Sequence, residues 1–212
     1  MSNGTAVRNR PAGGNRNLVI RRVLLEEQPE LTGRLIEVRR RAYEPDPIRK
    51  GMVNQLGIGD YYESIGSNWP SLEGGVDLVA ERPDGAFVGV GTYLSATEHP
   101  WWPANLASAG NVAALPRTPE TGSAGRALMA AMHALAVGEG RDGMGVTTFR
   151  YDHSPAERMY RDLGYEETDA RPVGDKPHLK TRLADYVFDF ANRGIEPGHI
   201  DEASGVVLLS KP

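Results

Sequence analysis

The sequence has no cysteine. That removes disulfides, thiolate metal ligands and a cysteine nucleophile together. An acyl group handled by this chain would have to pass directly from donor to acceptor, with no stop on a protein thiol. Long apolar runs are also missing, and none approaches the length that spans a bilayer. Residues 1–17 hold no apolar stretch of the kind that marks a secretory signal. A soluble, cytoplasmic protein with no membrane partner is expected. The five histidines, His99, His133, His153, His178 and His199, include no i, i+4 pair. That helical spacing is the one that gathers a metal, so no metal site is expected. Strong charge of one sign is absent too, with a net charge of -4. A mildly acidic chain is a poor generic nucleic-acid binder, although Arg39-Arg40-Arg41 is a local basic cluster.

The 212 residues are 40% hydrophobic, enough for the core of one domain with an insertion. Residues 1–17 are polar and rich in Gly and Asn, and they read as a flexible tail before a single domain over 18–212. Leu18 to Leu25 predicts a first strand. Leu31, Leu35, Ile36, Val38 and Ala42 predict a helix that Pro45 and Pro47 end, and Ile48, Met52, Val53 and Leu56 a second. Alternation from Val76 to Glu81, a turn at Pro83-Asp84-Gly85 and a return over Phe87 to Leu94 predict a hairpin. Val112 to Leu115 reads as a fourth strand, Val146 to Tyr151 as a fifth and Val206 to Ser210 as the last. The intervening 168–205 is longer than a simple connection. It reads as an insertion, with Leu183, Tyr186, Val187 and Phe190 at helical spacing.

Two segments carry chemistry. In the first, the fourth strand gives way to a small-residue turn, Thr121-Gly122-Ser123. A helix follows, in which Ala124, Ala127, Leu128, Ala131, Met132 and Leu135 share one face. Such a helix start presents unpaired N–H groups and the positive end of the helix dipole, a natural host for a diphosphate. In the second, Ser154, Pro155 and Glu157 form a helix-start signal, with Glu157 placed to complete a capping box. Ala156, Met159, Tyr160 and Leu163 then form one face, and Gly164 sits where a left-handed residue stops a helix. On pattern alone, Tyr160 is a core-facing aromatic.

Ala156, Tyr160, Gly164 and Tyr165, preceded by that turn, resemble the C-terminal signature of the GCN5-related N-acetyltransferases. The turn departs from the family pattern twice. Glu120 stands at the usual basic or amide position, and Ser123 stands at the first glycine, while Gly125 keeps the second. Arg117 and Arg126 are close enough in sequence to offset Glu120. The resemblance implies a mixed, mostly antiparallel central sheet flanked by helices, an α/β (α+β) fold, with the insertion before its last strand. It implies acetyl-CoA (coenzyme A) as cofactor. The diphosphate would sit at Arg117, Thr121, Gly122, Ser123, Ala124, Gly125 and Arg126. The pantetheine would lie along Val112, Ala113, Ala114 and Leu115, where the fourth and fifth strands splay. Tyr160 would be the acid that protonates the departing thiolate, a reasonable match because a phenol's ordinary pKa is about 10.

The acceptor pocket is expected near the two early helices, with Tyr61, Trp69, Trp101 and Asn111 as its candidates. Aromatics there would enclose an apolar or ammonium-bearing acceptor, or pack the loops against the sheet. No carboxylate base stands on the fourth strand. His99, Glu98, Asp152 and His153 are the nearest sequence candidates, and water is the other route for the amine proton. The expected activity is N-acyl transfer to a small-molecule amine. The alternatives are a silent binding protein on the same fold, and acyl transfer to a protein or aminoacyl-RNA amine. Related proteins often dimerise, which makes a homodimer an expectation of the resemblance.

Overall fold

The structure is a computed structural model that describes residues 18–23, 30–45, 75–95, 105–118, 123–149, 155–172, 186–192, 199–201 and 206–208. In chain order the elements are β1 (Val19–Val23), α1 (Leu31–Tyr43), β2 (Gly75–Glu81), β3 (Phe87–Leu94), β4 (Leu106–Ala114) and α2 (Ala124–Gly138). Then follow β5 (Gly143–Phe149), α3 (Pro155–Asp162), β6 (Glu166–Pro172), β7 (Tyr186–Asn192), β8 (His199–Asp201) and β9 (Val206–Leu208). The strands form one nine-stranded sheet ordered β6-β7-β5-β4-β3-β2-β1-β9-β8. Only β4 and β5 pair in parallel among the described residues. The sheet is therefore mixed and mostly antiparallel, as expected.

The β2–β3 hairpin closes on Gly85 at φ 80, a left-handed conformation that glycine adopts at no steric cost. Asp84 supports the turn by accepting from the Ala86 N–H at 3.1 Å. Pleat alternation then sorts the side chains of the hairpin. Leu78 and Ala80 join a buried cluster with Ala124, Ala127, Leu128 and Met132 of α2. Val79 and Val90, equally buried, stand outside that cluster and point to the opposite face. There α1 contacts β3 and β4 through its own buried stripe of Leu31, Leu35 and Val38. Two apolar layers thus enclose the sheet, one under each helix.

Close approach of α2 to the sheet depends on small residues. A Cβ on Gly89 would lie 3.0 Å from Leu128 Cδ1, 3.2 Å from the Ala124 Cβ and 3.4 Å from the Ala80 Cβ. Two of those neighbours are Cβ atoms that cannot swing away. Gly89→Val is therefore expected to destabilise the fold by about 1–3 kcal/mol, read as a lower thermal midpoint.

Three expectations change. Tyr186, Val187 and Phe190, expected in a helix, lie in strand β7 (Tyr186–Asn192), while Leu183 lies outside the described residues. Tyr, Val and Phe favour a pleated surface, and β7 fills the gap between β5 and β6. Strand β4 begins at Leu106, six positions before the Val112 that the sequence suggested, and it ends at Ala114. Leu115 lies just past it, although its N–H still donates to the Val88 carbonyl at 2.9 Å. Strand β5 likewise starts earlier, at Gly143. The tail and the helix expected at Ile48 to Leu56 lie outside the described residues. Among the described residues, no helix is long and apolar enough to cross a membrane.

Candidate acyl-transfer site

Strands β4 and β5 pair only from Leu106 opposite Gly143 to Ala109 opposite Val146. Beyond that point β5 continues alongside β7 to Phe149, while Gly110–Ala114 of β4 keep pairing with β3 alone. The cause is a bulge. Val90 pairs with Ala113 and Thr92 with Gly110, so Asn111 and Val112 together face the single residue Gly91. An inserted residue bends a strand and increases its twist. Asn111 absorbs the bend at φ 53, a left-handed value that Asn tolerates better than most residues. The β4 edge that turns away from β5 is thereby left with main-chain groups facing the gap.

A buried arginine holds that bulge. Arg39 of α1 has no exposed surface and donates from Nη2 to the Asn111 carbonyl at 3.3 Å. A planar trans peptide sets the following N–H opposite its carbonyl. The Val112 N–H is thus turned away from Arg39. The basic run Arg39-Arg40-Arg41 is not one patch: Arg40 is exposed and paired with Glu37 at 2.7 Å, and Arg41 is also exposed.

Helix α2 starts next to the open end of β4. Its first internal bond runs from the Ala127 N–H to the Ser123 carbonyl at 3.0 Å. The N–H groups of Ala124, Gly125 and Arg126 therefore precede the helical ladder. Ser123 makes no side-chain cap. Glycine at 125 permits a three-way contact. A Cβ there would lie 2.9 Å from Met159 Sδ and 3.5 Å from the Ala114 Cβ. The end of β4, the start of α2 and the residue before Tyr160 thus meet at one point.

Tyr160 is held by the stop of its own helix. The Tyr165 N–H donates to the Tyr160 carbonyl, and the Gly164 N–H to the Arg161 carbonyl, each at 3.0 Å. With Gly164 at φ 79, this is the left-handed double closure that ends helices. It brings the Tyr165 ring back onto the Tyr160 ring, with centroids 5.7 Å apart. The spacing of Tyr160, Gly164 and Tyr165 therefore has a packing cause. Both phenols are buried.

Sequence reading missed His133. It lies 1% exposed on α2 and shares a hydrogen bond of 2.7 Å with the Tyr165 hydroxyl. In one tautomer the phenol donates to Nε2, and in the other Nε2–H donates to the phenol. Burial pushes the imidazole down from 6.5 to about 4, so it is neutral at pH 7. Burial, with the neighbouring Tyr160 second, pushes Tyr165 well above the usual phenol range. The signal for His133 was available. Helix α2 buries residues nearly all round, including Met129, Ala134 and Ala136, and such a helix leaves a histidine no path to water.

The structure brings together Val112, Ala114, Ala124, Gly125 and Tyr160 of the expected site, with Leu115 adjoining, while Asn111 and Ser123 are next to them only along the chain and Ala113 pairs with Val90, which points to the opposite face. Arg117 is exposed beyond β4. Arg126 reaches across to Asp162 of α3 at 2.5 Å. Tyr61, Trp69, Trp101, Thr121 and Gly122 lie outside the described residues, as do Glu98, His99, Glu120, Asp152, His153 and Ser154. Glu157, expected in a capping box, accepts from Arg161 at 2.9 Å.

No family profile and no curated protein matches this chain. Solved structures do resemble it. An aminoglycoside 6'-acetyltransferase type Ii gives a TM-score of 0.56 at 14% identity, covering 84% of this chain and 97% of that one. A Bacillus subtilis acetyltransferase in complex with CoA gives 0.54 at 16% identity, over 84% and 99% of the two chains. A GCN5-related N-acetyltransferase from Kribbella flavida gives 0.51 at 18% identity, over 84% and 98%. Element order, the parted fourth and fifth strands and these similarities agree: this chain has the fold of the GCN5-related N-acetyltransferases.

Proposed function

We propose that the chain is a coenzyme A-dependent N-acyltransferase that passes an acetyl group directly to the amine of a small molecule. The observation that carries this reading is the meeting of Ala114, Gly125 and Met159 at the mouth of the gap between β4 and β5. The leading N–H groups of α2 open at that point, and Tyr160 follows Met159 there. The similarity to an acetyltransferase that holds CoA supports the same cofactor here.

The residues present fit such a group. The N–H groups of Ala124, Gly125 and Arg126 would hold phosphate oxygens, helped by the dipole of α2. Main-chain groups of Val112 and Ala114 would hydrogen-bond the extended arm as an added strand would. Coenzyme A supplies the activated acyl thioester. Tyr160 is the residue that would donate a proton to the leaving thiolate. With no cysteine in the chain there is no acyl-cysteine stage, and the acyl group would pass from coenzyme A to the amine directly. β4 carries no carboxylate, so the amine's proton would leave through water or through one of Glu98, His99, Asp152 and His153, which lie outside the described residues. Asn111, with Tyr61, Trp69 and Trp101 from outside the described residues, is proposed for the acceptor side, and a homodimer working in the cytoplasm completes the proposal.

Isothermal titration of the purified, folded protein with acetyl-coenzyme A is expected to show saturable one-to-one binding. Absence of binding would overturn the reading. It would leave the fold as a silent scaffold in which Glu120 and Ser123 have closed the phosphate site.

A further inference from the structure

Helix α2 meets α3 and the turn that ends it at three points. At the start of α2, Gly125 lies against Met159. One residue on, Arg126 pairs with Asp162 at 2.5 Å. Two turns further along α2, His133 and Tyr165 share their buried 2.7 Å hydrogen bond. The first contact relies on a missing side chain, and the second is partly exposed to solvent, where an ion pair is screened and weak. The third is directional and shielded from water, because both partners are at least 98% buried. It also has two geometric elements, a hydrogen bond and an edge-on ring contact at 5.7 Å and 88°.

Tyr165 is connected to Tyr160 in two ways. Its N–H caps the Tyr160 carbonyl, and its ring leans on the Tyr160 ring. Any rotation of the Tyr165 ring is therefore felt at Tyr160. What stops that rotation from the far side is His133, which belongs to the helix proposed to hold the diphosphate. We infer that His133 and Tyr165 are positioning residues that lock the Tyr160 phenol at a fixed offset from the start of α2. The pair sets the reach between the two groups that would grip opposite ends of one cofactor. This inference rests on the proposed acyl-transfer reading for its catalytic consequence, but not for its geometry.

The test uses Tyr165→Phe and His133→Gln in the full chain. Tyr165→Phe keeps the ring and removes the bond. Turnover is expected to fall about tenfold, less than the hundredfold that a 1 Å misplacement costs, with KM for acetyl-coenzyme A within about twofold. His133→Gln keeps a polar partner for the phenol and is expected to retain most of kcat. In a Tyr160→Phe background, Tyr165→Phe should have no further effect on kcat, because the pair acts through the phenol that is gone. Equal losses in both backgrounds would overturn the inference and leave a purely structural bond.

A second readout needs no acceptor or cofactor. In protein labelled with 13C-tyrosine, the Tyr160 ring resonances, assigned by their loss in Tyr160→Phe, should shift and broaden in Tyr165→Phe. Unchanged resonances would overturn the inference whatever the protein catalyses. Failure of the wild type to bind acetyl-coenzyme A would instead remove the proposed function, and the ring resonances would still decide the positioning.

Discussion

Tyr160→Phe is expected to lower kcat for acetyl transfer by about 10²–10⁴-fold, the usual range for a positioned general acid. The substitution removes one oxygen and leaves the ring. The ring's contact with Tyr165 at 5.7 Å and the two backbone bonds that close α3 are independent of the hydroxyl. The helix should stay in place, and the affinity for acetyl-coenzyme A, which the proposed site draws from β4 and α2, should change less than threefold, about 0.6 kcal/mol or less. A deficit confined to kcat marks an interaction used only as the sulfur departs. Its pH dependence has a definite sign. A thiol has an ordinary pKa of about 8.5, so above that pH the sulfur departs stably without a proton. The deficit should therefore narrow as pH rises beyond about 8.5. Full turnover of Tyr160→Phe at neutral pH and below would remove Tyr160 from the chemistry.

Acid should weaken the fold through His133. Its folded pKa is depressed to about 4 from an ordinary 6.5. Above 6.5 the imidazole is neutral in both the folded and unfolded chains and contributes no pH dependence. Between 6.5 and about 4 the unfolded chain takes up a proton that the folded chain refuses. Stability is thus intact at pH 7 and falls as pH drops through this window. The loss is on the order of 3 kcal/mol by pH 4. For a chain of this size that corresponds to a fall of roughly 6–12 °C in thermal midpoint. Carboxylates add their own acid sensitivity, so the informative quantity is a difference. His133→Gln should show a shallower decline from pH 7 to pH 4 than the wild type, measured by thermal unfolding at each pH. Parallel declines would mean that His133 is protonated in the folded protein without cost.

Particular residues show where the sequence was readable. The range Phe87–Leu94 of β3 follows directly from alternation after a Pro-Asp-Gly turn, because such a turn imposes its own geometry. The Tyr160 helix was equally clear, since Pro155 and Gly164 mark its ends with opposite backbone demands. Leu106–Gly110 of β4 was not read as strand, because Ala, Ser and Gly have little preference for it and only pairing on both sides makes it one. At Leu183 to Phe190, helical spacing coincided with aromatic and β-branched residues, and the gap in the sheet decided the outcome. His133 and Arg39 were missed for a common reason: each is polar on a helix whose other residues are apolar at that angle. Arg39 stands four positions after Leu35 and one after Val38, on the buried stripe of α1, while Ile36 is off it at 36% exposed. The helical phase contained this information, but the neighbouring arginines drew the eye to charge. Pairing between elements distant in sequence, such as His133 with Tyr165, leaves no local trace.

The bulge in β4 also bears on how such a chain drifts. What this strand offers at its open edge is peptide, and the donors of Val112 and Ala114 do not change when their side chains do. Substitution there is silent to anything that hydrogen-bonds the edge, provided the new residue fits beneath the sheet. The same holds for the first N–H groups of α2. A surface written in main chain can be inherited while its letters turn over, and likeness measured letter by letter fades before likeness measured along the backbone path. The residues that cannot drift are those that fix the path itself: a small one at Gly125, a left-handed one at Gly164, and a tolerant one at Asn111 with its buried arginine.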